Sequence, residues 1–314
     1  MSDVSAETAR RSPEKNSETT RLDVARALYA DVDSRPVTDL EGRTCRTQPT
    51  GDQIPTLRTG IASRGCEYQS AQDIANATGI LDFGDIWRQV RREAVQVHSG
   101  RGAGSGVAIG ATPDTCIVAT NAHVVRPDLF GARARERESG NAVVMADGTR
   151  YPATVGHVDV ANDRAALVVR TGARTAEVCR PARIAENPGE IGRGLAVGFP
   201  GGASSPYAHP AQLDGIQRAL SQPRGGRRNQ PEIFTRSNTI EGNSGGPIYN
   251  DRREVVGLVT RGPDPWQVPN NARTEREFDA VLRRYSIGTP INPTIRDTMI
   301  RESLRVTAPQ PRQR

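Results

Sequence analysis

The stretch Glu241-Gly242-Asn243-Ser244-Gly245-Gly246-Pro247 constrains this chain more than any other. A serine stands between glycines, and the apolar residues Ile248 and Tyr249 follow at once. Glycine opens backbone dihedrals that a Cβ forbids, so the segment can turn tightly and approach a ligand closely. Such a turn presents a hydroxyl while backbone N–H groups point into the same space. The N–H groups of Gly242 and Ser244 are the expected oxyanion donors, the kind that stabilise charge growing on a carbonyl oxygen.

A serine hydroxyl is a weak nucleophile at neutral pH and needs a base beside it. Histidine is the usual base because its pKa lies near the operating pH. The chain has four: His98, His123, His157 and His209. His123 follows the apolar run Cys116–Thr120 and opens a turn in the string ATNAHVV, which makes it the candidate base. His98 borders a glycine-rich turn read at Gly102–Gly106, and His157 and His209 read as polar-loop residues. Those three are expected to be surface or packing groups. A carboxylate must then hold the imidazole in one tautomer. Asp163, just before the apolar run Ala165–Val169, is the candidate, and Asp159 is the runner-up.

Between these points the chain alternates short apolar runs with turn signals. Strands are expected near 94–97, 107–109, 116–120, 142–145, 151–155, 165–169, 191–199, 233–237, 247–249, 255–260 and 286–291. The Asp147-Gly148 pair marks a hairpin turn. This rhythm argues an all-β barrel or sandwich rather than βαβ units. Helices are expected at Leu22–Tyr29, where apolar residues recur, and at Phe83–Arg92, where Phe83, Ile86, Trp87 and Val90 share one face. Two more are expected at 274–284 and 293–304, whereas 71–82 is ambiguous. The segment 126–140 reads as a charged loop that could shape access to the site, though a plain solvated loop fits as well.

At this point the chain resembles the chymotrypsin/trypsin-like serine proteases. His123, Asp163 and Ser244 follow that superfamily's order, in the strings TNAHVV, ANDRAAL and GNSGGP. Within it the chain is most similar to the bacterial HtrA-like (Deg) branch, through GSGVAIG at 104–110, VGFPGG at 197–202, EVVGLVTRG at 254–262 and SIGTPINP at 286–293. The resemblance implies two six-stranded antiparallel β-barrels with the triad at their junction and a helix at the C-terminal end. It implies a protease domain over residues 83–306, with a partly irregular N-terminal extension at 1–82 and a tail at 307–314. It implies a serine endopeptidase without metal or cofactor, acting on polypeptide substrates. Thr260, Arg261 and Gly262 would wall the primary specificity pocket, with Asn238 near its base. Asn238 favours a small or medium uncharged side chain there. No PDZ-like domain is expected after the last helix.

Two departures from the pattern bear on chemistry. Arg164 stands where an apolar residue usually follows the aspartate, which puts the packing of that strand in question. The residue before the serine is the uncharged Asn243, where digestive relatives carry an aspartate that pairs with a freshly cleaved amine. Activation by cleavage near residue 95 is therefore not expected.

Other classes fit less well. Gly242–Gly246 formally satisfies G-x-S-x-G, so an esterase is the nearest enzyme alternative. An α/β-hydrolase, however, places its histidine after the serine and a helix behind it. A catalytically idle double barrel serving as a scaffold would have no chemical reason to keep all three triad residues. The net charge of +6 comes almost wholly from arginine, with Lys15 the only lysine, and no basic run is interleaved with aromatics. Nucleic-acid and membrane partners are accordingly not expected. No apolar leader is readable, so a cytoplasmic location is the default, with export open. Four cysteines at non-metal spacing admit either thiols or bridges, and a Cys45–Cys66 bridge would staple the Thr-, Gly- and Pro-rich segment 31–69.

Overall fold

The computed structural model describes residues 37–39, 43–50, 53–57, 65–100, 102–126, 140–218, 230–262 and 285–307. The helices expected at 22–29 and 274–284 and most of the 126–140 loop lie outside them.

Six strands close the first barrel: β3 (Ala94–Ser99), β4 (Gly102–Ala111), β5 (Thr115–Thr120), β6 (Ala142–Val144), β7 (Arg150–Asp159) and β8 (Arg164–Arg170), in the order β3-β4-β5-β8-β7-β6. Every pairing in it is antiparallel. Its interior is filled by Val95, Val97, Val118, Val143, Leu167 and Val169, the alternate positions of their strands. The glycine-rich turn expected at 102–106 is instead the first half of β4, in unbroken register with β3. Small residues suit this strand because other backbone crosses it: a Cβ on Gly104 would lie 3.0 Å from the carbonyl oxygen of Ser244.

The second barrel consists of β10 (Ile191–Gly198), β11 (Tyr207–Arg218), β12 (Pro231–Arg236), β13 (Pro247–Asn250), β14 (Glu254–Arg261) and β15 (Ser286–Pro290). The path β10-β13-β14-β15-β12-β11 is closed by eight paired residues between β10 and β11. A two-residue strand, β9 (Arg183–Ile184), lies parallel to β14. The all-β, double-barrel reading thus holds. A barrel removes the unpaired edges that a flat sheet would expose.

Three helices of eight or more residues lie beyond the barrels among the described residues. Helix α1 (Ala71–Thr78) occupies the stretch that the apolar pattern left ambiguous. It is set by its ends: the Ser70 hydroxyl accepts from the N–H of Asp73, and Gly79 takes a left-handed φ of 69°. Helix α2 (Phe83–Glu93) buries Phe83, Ile86, Trp87 and Val90, the face its sequence periodicity marks. The last helix, designated α4 (Pro293–Thr307), lies against the first barrel, where Ile300 meets Gly110 and Ser303 meets Gly156. His157, expected in a polar loop, is on β7, and its Nδ1 lies 2.6 Å from Oε2 of Glu302 on that helix.

The described part of the N-terminal extension is fastened to the second barrel. Strands β1 (Gln53–Thr56) and β2 (Glu67–Ser70) form a hairpin, and β1 meets β11 in parallel at Thr56 and Ala208. Cys45 and Cys66 are bonded, with an S–S distance of 2.04 Å. Tyr207, fully buried, donates its hydroxyl proton to the Thr38 carbonyl at 2.8 Å and accepts from the Cys66 N–H at 3.3 Å. A second bridge, Cys116–Cys179, ties the start of β5 to the segment after the first barrel. All four cysteines are therefore paired.

Candidate active site

The candidate base sits where β5 ends. Thr120 and Asn121 are fully buried, and the chain then enters a single helical turn, α3 (Ala122–Val125), that carries His123. Asp163 lies in the turn between β7 and β8 with φ of 53°, a left-handed value uncommon for any residue but glycine. Such a backbone persists only where its surroundings over-determine it. Here they do, since the Asn121 side chain donates to the Asp163 carbonyl at 2.9 Å.

The Asp163 carboxylate, with no solvent exposure, receives His123 twice. The backbone N–H of His123 donates to Oδ1 at 2.9 Å, and Nδ1 stands 2.7 Å from Oδ2. Two contacts fix both the position and the tilt of the ring. With Nδ1–H bound to the carboxylate, Nε2 is left as the acceptor nitrogen. Asp159 takes a different part: its carboxylate accepts from Asn162 and from Arg164.

Arg164 is itself 8% exposed. Its guanidinium reaches Asp159 at 3.0 Å and donates to the Pro290 carbonyl of β15 at 3.1 Å. The departure from the apolar pattern is thus accommodated by a polar link between the barrels.

Ser244 lies in the turn before β13. Gly242 in that turn has φ of 91°, and a Cβ there would lie 2.5 Å from the Phe199 carbonyl oxygen and 2.6 Å from the Gly201 nitrogen. Only glycine fits such a place. The loop is pinned from both barrels. The Ser105 hydroxyl donates to the Gly242 carbonyl at 2.7 Å, and the Ser105 N–H donates to the Ser244 carbonyl at 2.8 Å. The N–H groups of Asn243, Gly245 and Gly246 are bound to Ile240, Val259 and Asn243 carbonyls. Among the described residues, those of Gly242 and Ser244 donate to no backbone carbonyl. The Ser244 hydroxyl lies 3.4 Å from the Thr260 carbonyl.

The expected pocket residues cluster around the end of β14. Arg261 is held by Glu232, a carboxylate 6% exposed, at 3.2 Å, so its charge is met by β12. A Cβ on Gly262 would lie 2.1 Å from the Thr239 carbonyl oxygen. Asn238 donates its side-chain amide to the Leu57 carbonyl at 3.1 Å. That contact brings the N-terminal extension to the pocket residues, and nothing in the local sequence announces it.

Sequence reasoning also misplaced His209. It stands in β11 opposite Ala196, 1% exposed, rather than in a polar loop. Burial pulls its pKa down to about 4, against the pull of the Asn243 side chain and the Asn238 backbone. The alternating string Tyr207-Ala208-His209-Pro210-Ala211 was the available sign of a strand, and the proline masked it.

Comparison with known proteins follows the same line. Residues 104–258 match the family model described as a trypsin-like peptidase domain. The match and the two closed antiparallel barrels together define a trypsin-like peptidase domain on a double-barrel fold, and a peptidase acts on polypeptides. Among solved structures, the chain is similar to the Rv3671c protease of M. tuberculosis in its active form, at 22% identity and a TM-score of 0.49, over 73% of this chain and 86% of that one. The inactive form of the Rv3671c protease matches at 21% identity and a TM-score of 0.48, over 71% and 93% respectively. No curated protein matches. Among the described residues no helix is long and apolar enough to cross a membrane.

Proposed function

We propose that the chain is a serine endopeptidase in which Ser244 is the nucleophile, His123 the general base and Asp163 the group that orients it. The observation that carries this reading is the double contact between Asp163 and His123, by Nδ1 and by the backbone N–H. A buried carboxylate so placed stabilises the imidazolium that forms when the ring accepts a proton.

The reaction then runs in two halves. The Ser244 oxygen attacks the scissile carbonyl carbon as its proton passes to Nε2 of His123. The carbonyl oxygen becomes an oxyanion facing the N–H groups of Gly242 and Ser244, whose lack of carbonyl partners fits that role. His123 returns the proton to the departing amine, and the C–N bond breaks to leave an ester on Ser244. A water gives its proton to His123, attacks the ester and releases the acid, restoring the hydroxyl.

Thr260, Arg261, Gly262 and Asn238 form the primary pocket on this reading. Arg261 is neutralised by Glu232, and Asn238 is uncharged, which favours a small or medium uncharged residue at the cleavage site. The two disulfides fit a chain that works in an oxidising compartment. A fluorophosphonate probe should label the full chain once, at Ser244, and Ser244→Ala should abolish labelling. Continued labelling of that variant would refute the assignment.

A further inference from the structure

Among the described residues, His209 is a buried titratable group that the catalytic scheme leaves without a task. His209 is sealed inside the second barrel, and neither of its ring nitrogens has a well-aligned hydrogen-bond partner. The same holds for Oδ1 of Asn243, the residue between the two proposed oxyanion donors. These orphaned groups are neighbours. The Asn243 side chain and the Asn238 backbone both bear on the His209 ring, and both favour its protonated form, as hydrogen-bond acceptors do.

The orientation of Asn243 explains which atom faces the ring. Its Nδ2 donates to the Ile240 carbonyl at 3.1 Å, so the amide cannot turn over without losing that bond. Oδ1 is thereby directed inward, against Gly198, where a Cβ would lie only 2.4 Å from it. A neutral imidazole has one N–H to give and two acceptors within reach. A small rotation of ring and amide pairs the buried donor with the buried acceptor, and groups shut off from water are rarely left apart.

We propose that His209 is a positioning residue for the oxyanion loop, donating its one ring N–H to the Asn243 side chain. Its two polar neighbours, Asn238 and Asn243, bracket the segment that runs from the base of the proposed pocket to the residue before the nucleophile. Holding Asn243 from below fixes the planes of the peptides on either side. Those peptides carry the N–H groups of Asn243 and Ser244, and they set the direction of the Gly242 N–H through the short turn. A loop free to rotate one peptide would present a carbonyl where a donor is needed. The inference rests on the reading of Gly242 and Ser244 as oxyanion donors, although the contact itself is independent of it.

The test uses the full chain and two variants, with a fluorophosphonate and a peptide ester as probes. His209→Phe keeps the ring and loses the donor, whereas His209→Gln keeps an N–H. For His209→Phe the expected result is a fall of about tenfold or more in acylation rate and kcat, with KM within about twofold, because oxyanion donors act mainly on the transition state. His209→Gln should recover most of the loss. A folded His209→Phe that acylates at the wild-type rate would overturn the proposal. A second readout does not need activity. In chain labelled with ¹⁵N-histidine, the His209 ring N–H should exchange slowly with water and shift in Asn243→Ala. A ring signal indifferent to that substitution would also overturn the proposal, including when His209→Phe fails to fold. A wild-type chain that does not acylate at all would sink the serine-protease reading instead, and the ring signal would still decide this one.

Discussion

The hydroxyl of Ser105, on β4 of the first barrel, donates to the carbonyl of Gly242 in the nucleophile turn at 2.7 Å, while accepting from the N–H of Phe199 at 2.9 Å. One buried side chain thus ties three segments from both barrels. Ser105→Ala would leave a buried carbonyl and a buried N–H without that partner, at a cost of about 1–3 kcal/mol. The expected outcome is a lower urea midpoint together with a larger loss in kcat than in KM. Equilibrium unfolding and steady-state kinetics on the same preparation check both.

Asp163 acts on His123 through geometry as well as charge. Asp163→Asn keeps the size of the side chain but offers an amide where Nδ1–H needs an acceptor, so the ring is biased to the wrong tautomer. The expected loss in kcat is large, about four orders of magnitude by analogy with that substitution in other triads. Burst kinetics with an activated ester measure it. A loss below tenfold would argue that the contact is structural.

Arg164 links Asp159 to the Pro290 carbonyl across the barrels. Truncating it removes both bonds and leaves Asp159 half-buried beside a gap. The pair is still partly open to solvent, so Arg164→Ala should cost about 2 kcal/mol rather than the larger value of a sealed ion pair. Unfolding in urea gives the number, and Asp159→Asn should cost less.

The depressed pKa of His209 makes a claim about stability against pH. The ring is neutral in the fold down to about 4, whereas in the unfolded chain it takes up a proton near its ordinary 6.5. Between those values the unfolded state binds more protons, so stability falls as the pH falls. The contribution is full above 6.5, and the total lost by pH 4 is on the order of 3 kcal/mol. His209→Gln should flatten that part of the curve relative to wild type. Parallel curves for the two proteins would show that the ring is not neutral in the fold.

Each disulfide constrains the unfolded chain more the longer the loop it closes, with the logarithm of that length. Cys45–Cys66 spans 21 residues and Cys116–Cys179 spans 63. On the chain-entropy account these correspond to about 3 and about 4 kcal/mol. Paired Cys→Ala substitutions, compared by unfolding, should follow that order. Peptide mapping without reduction should recover both linked peptides.

The legible features share a cause. Strands such as β5, β8 and β13 are buried on both faces, so they read as short continuous apolar runs bounded by turn residues. The catalytic candidates were legible because each sits in a turn whose neighbours are restricted, such as Gly242 with its positive φ. Helix α1 read as ambiguous because its apolar face is short, although its Ser70 cap was in plain view. Gly102–Gly106 read as a turn because glycine is a turn former, yet here it serves a strand crossed by other backbone. His209 was misjudged because a polar side chain is assigned to solvent unless its buried partner is known, and for want of such a partner the packing around Arg164 was left in question.

By itself, the order of residues determined the class of fold, the identity of the candidate nucleophile, base and carboxylate, and the uncharged residue before the serine. These depend on local patterns, which hydrophobic periodicity and backbone sterics enforce within a few residues. Only the tertiary structure decided that Asp163 holds His123 by two hydrogen bonds, that Leu57 of the extension occupies the amide of Asn238, and that His209 is buried beside the Asn243 side chain. Contacts of that kind join residues far apart in the chain, and they form only when barrel closure brings strands of distant origin to the same few ångströms.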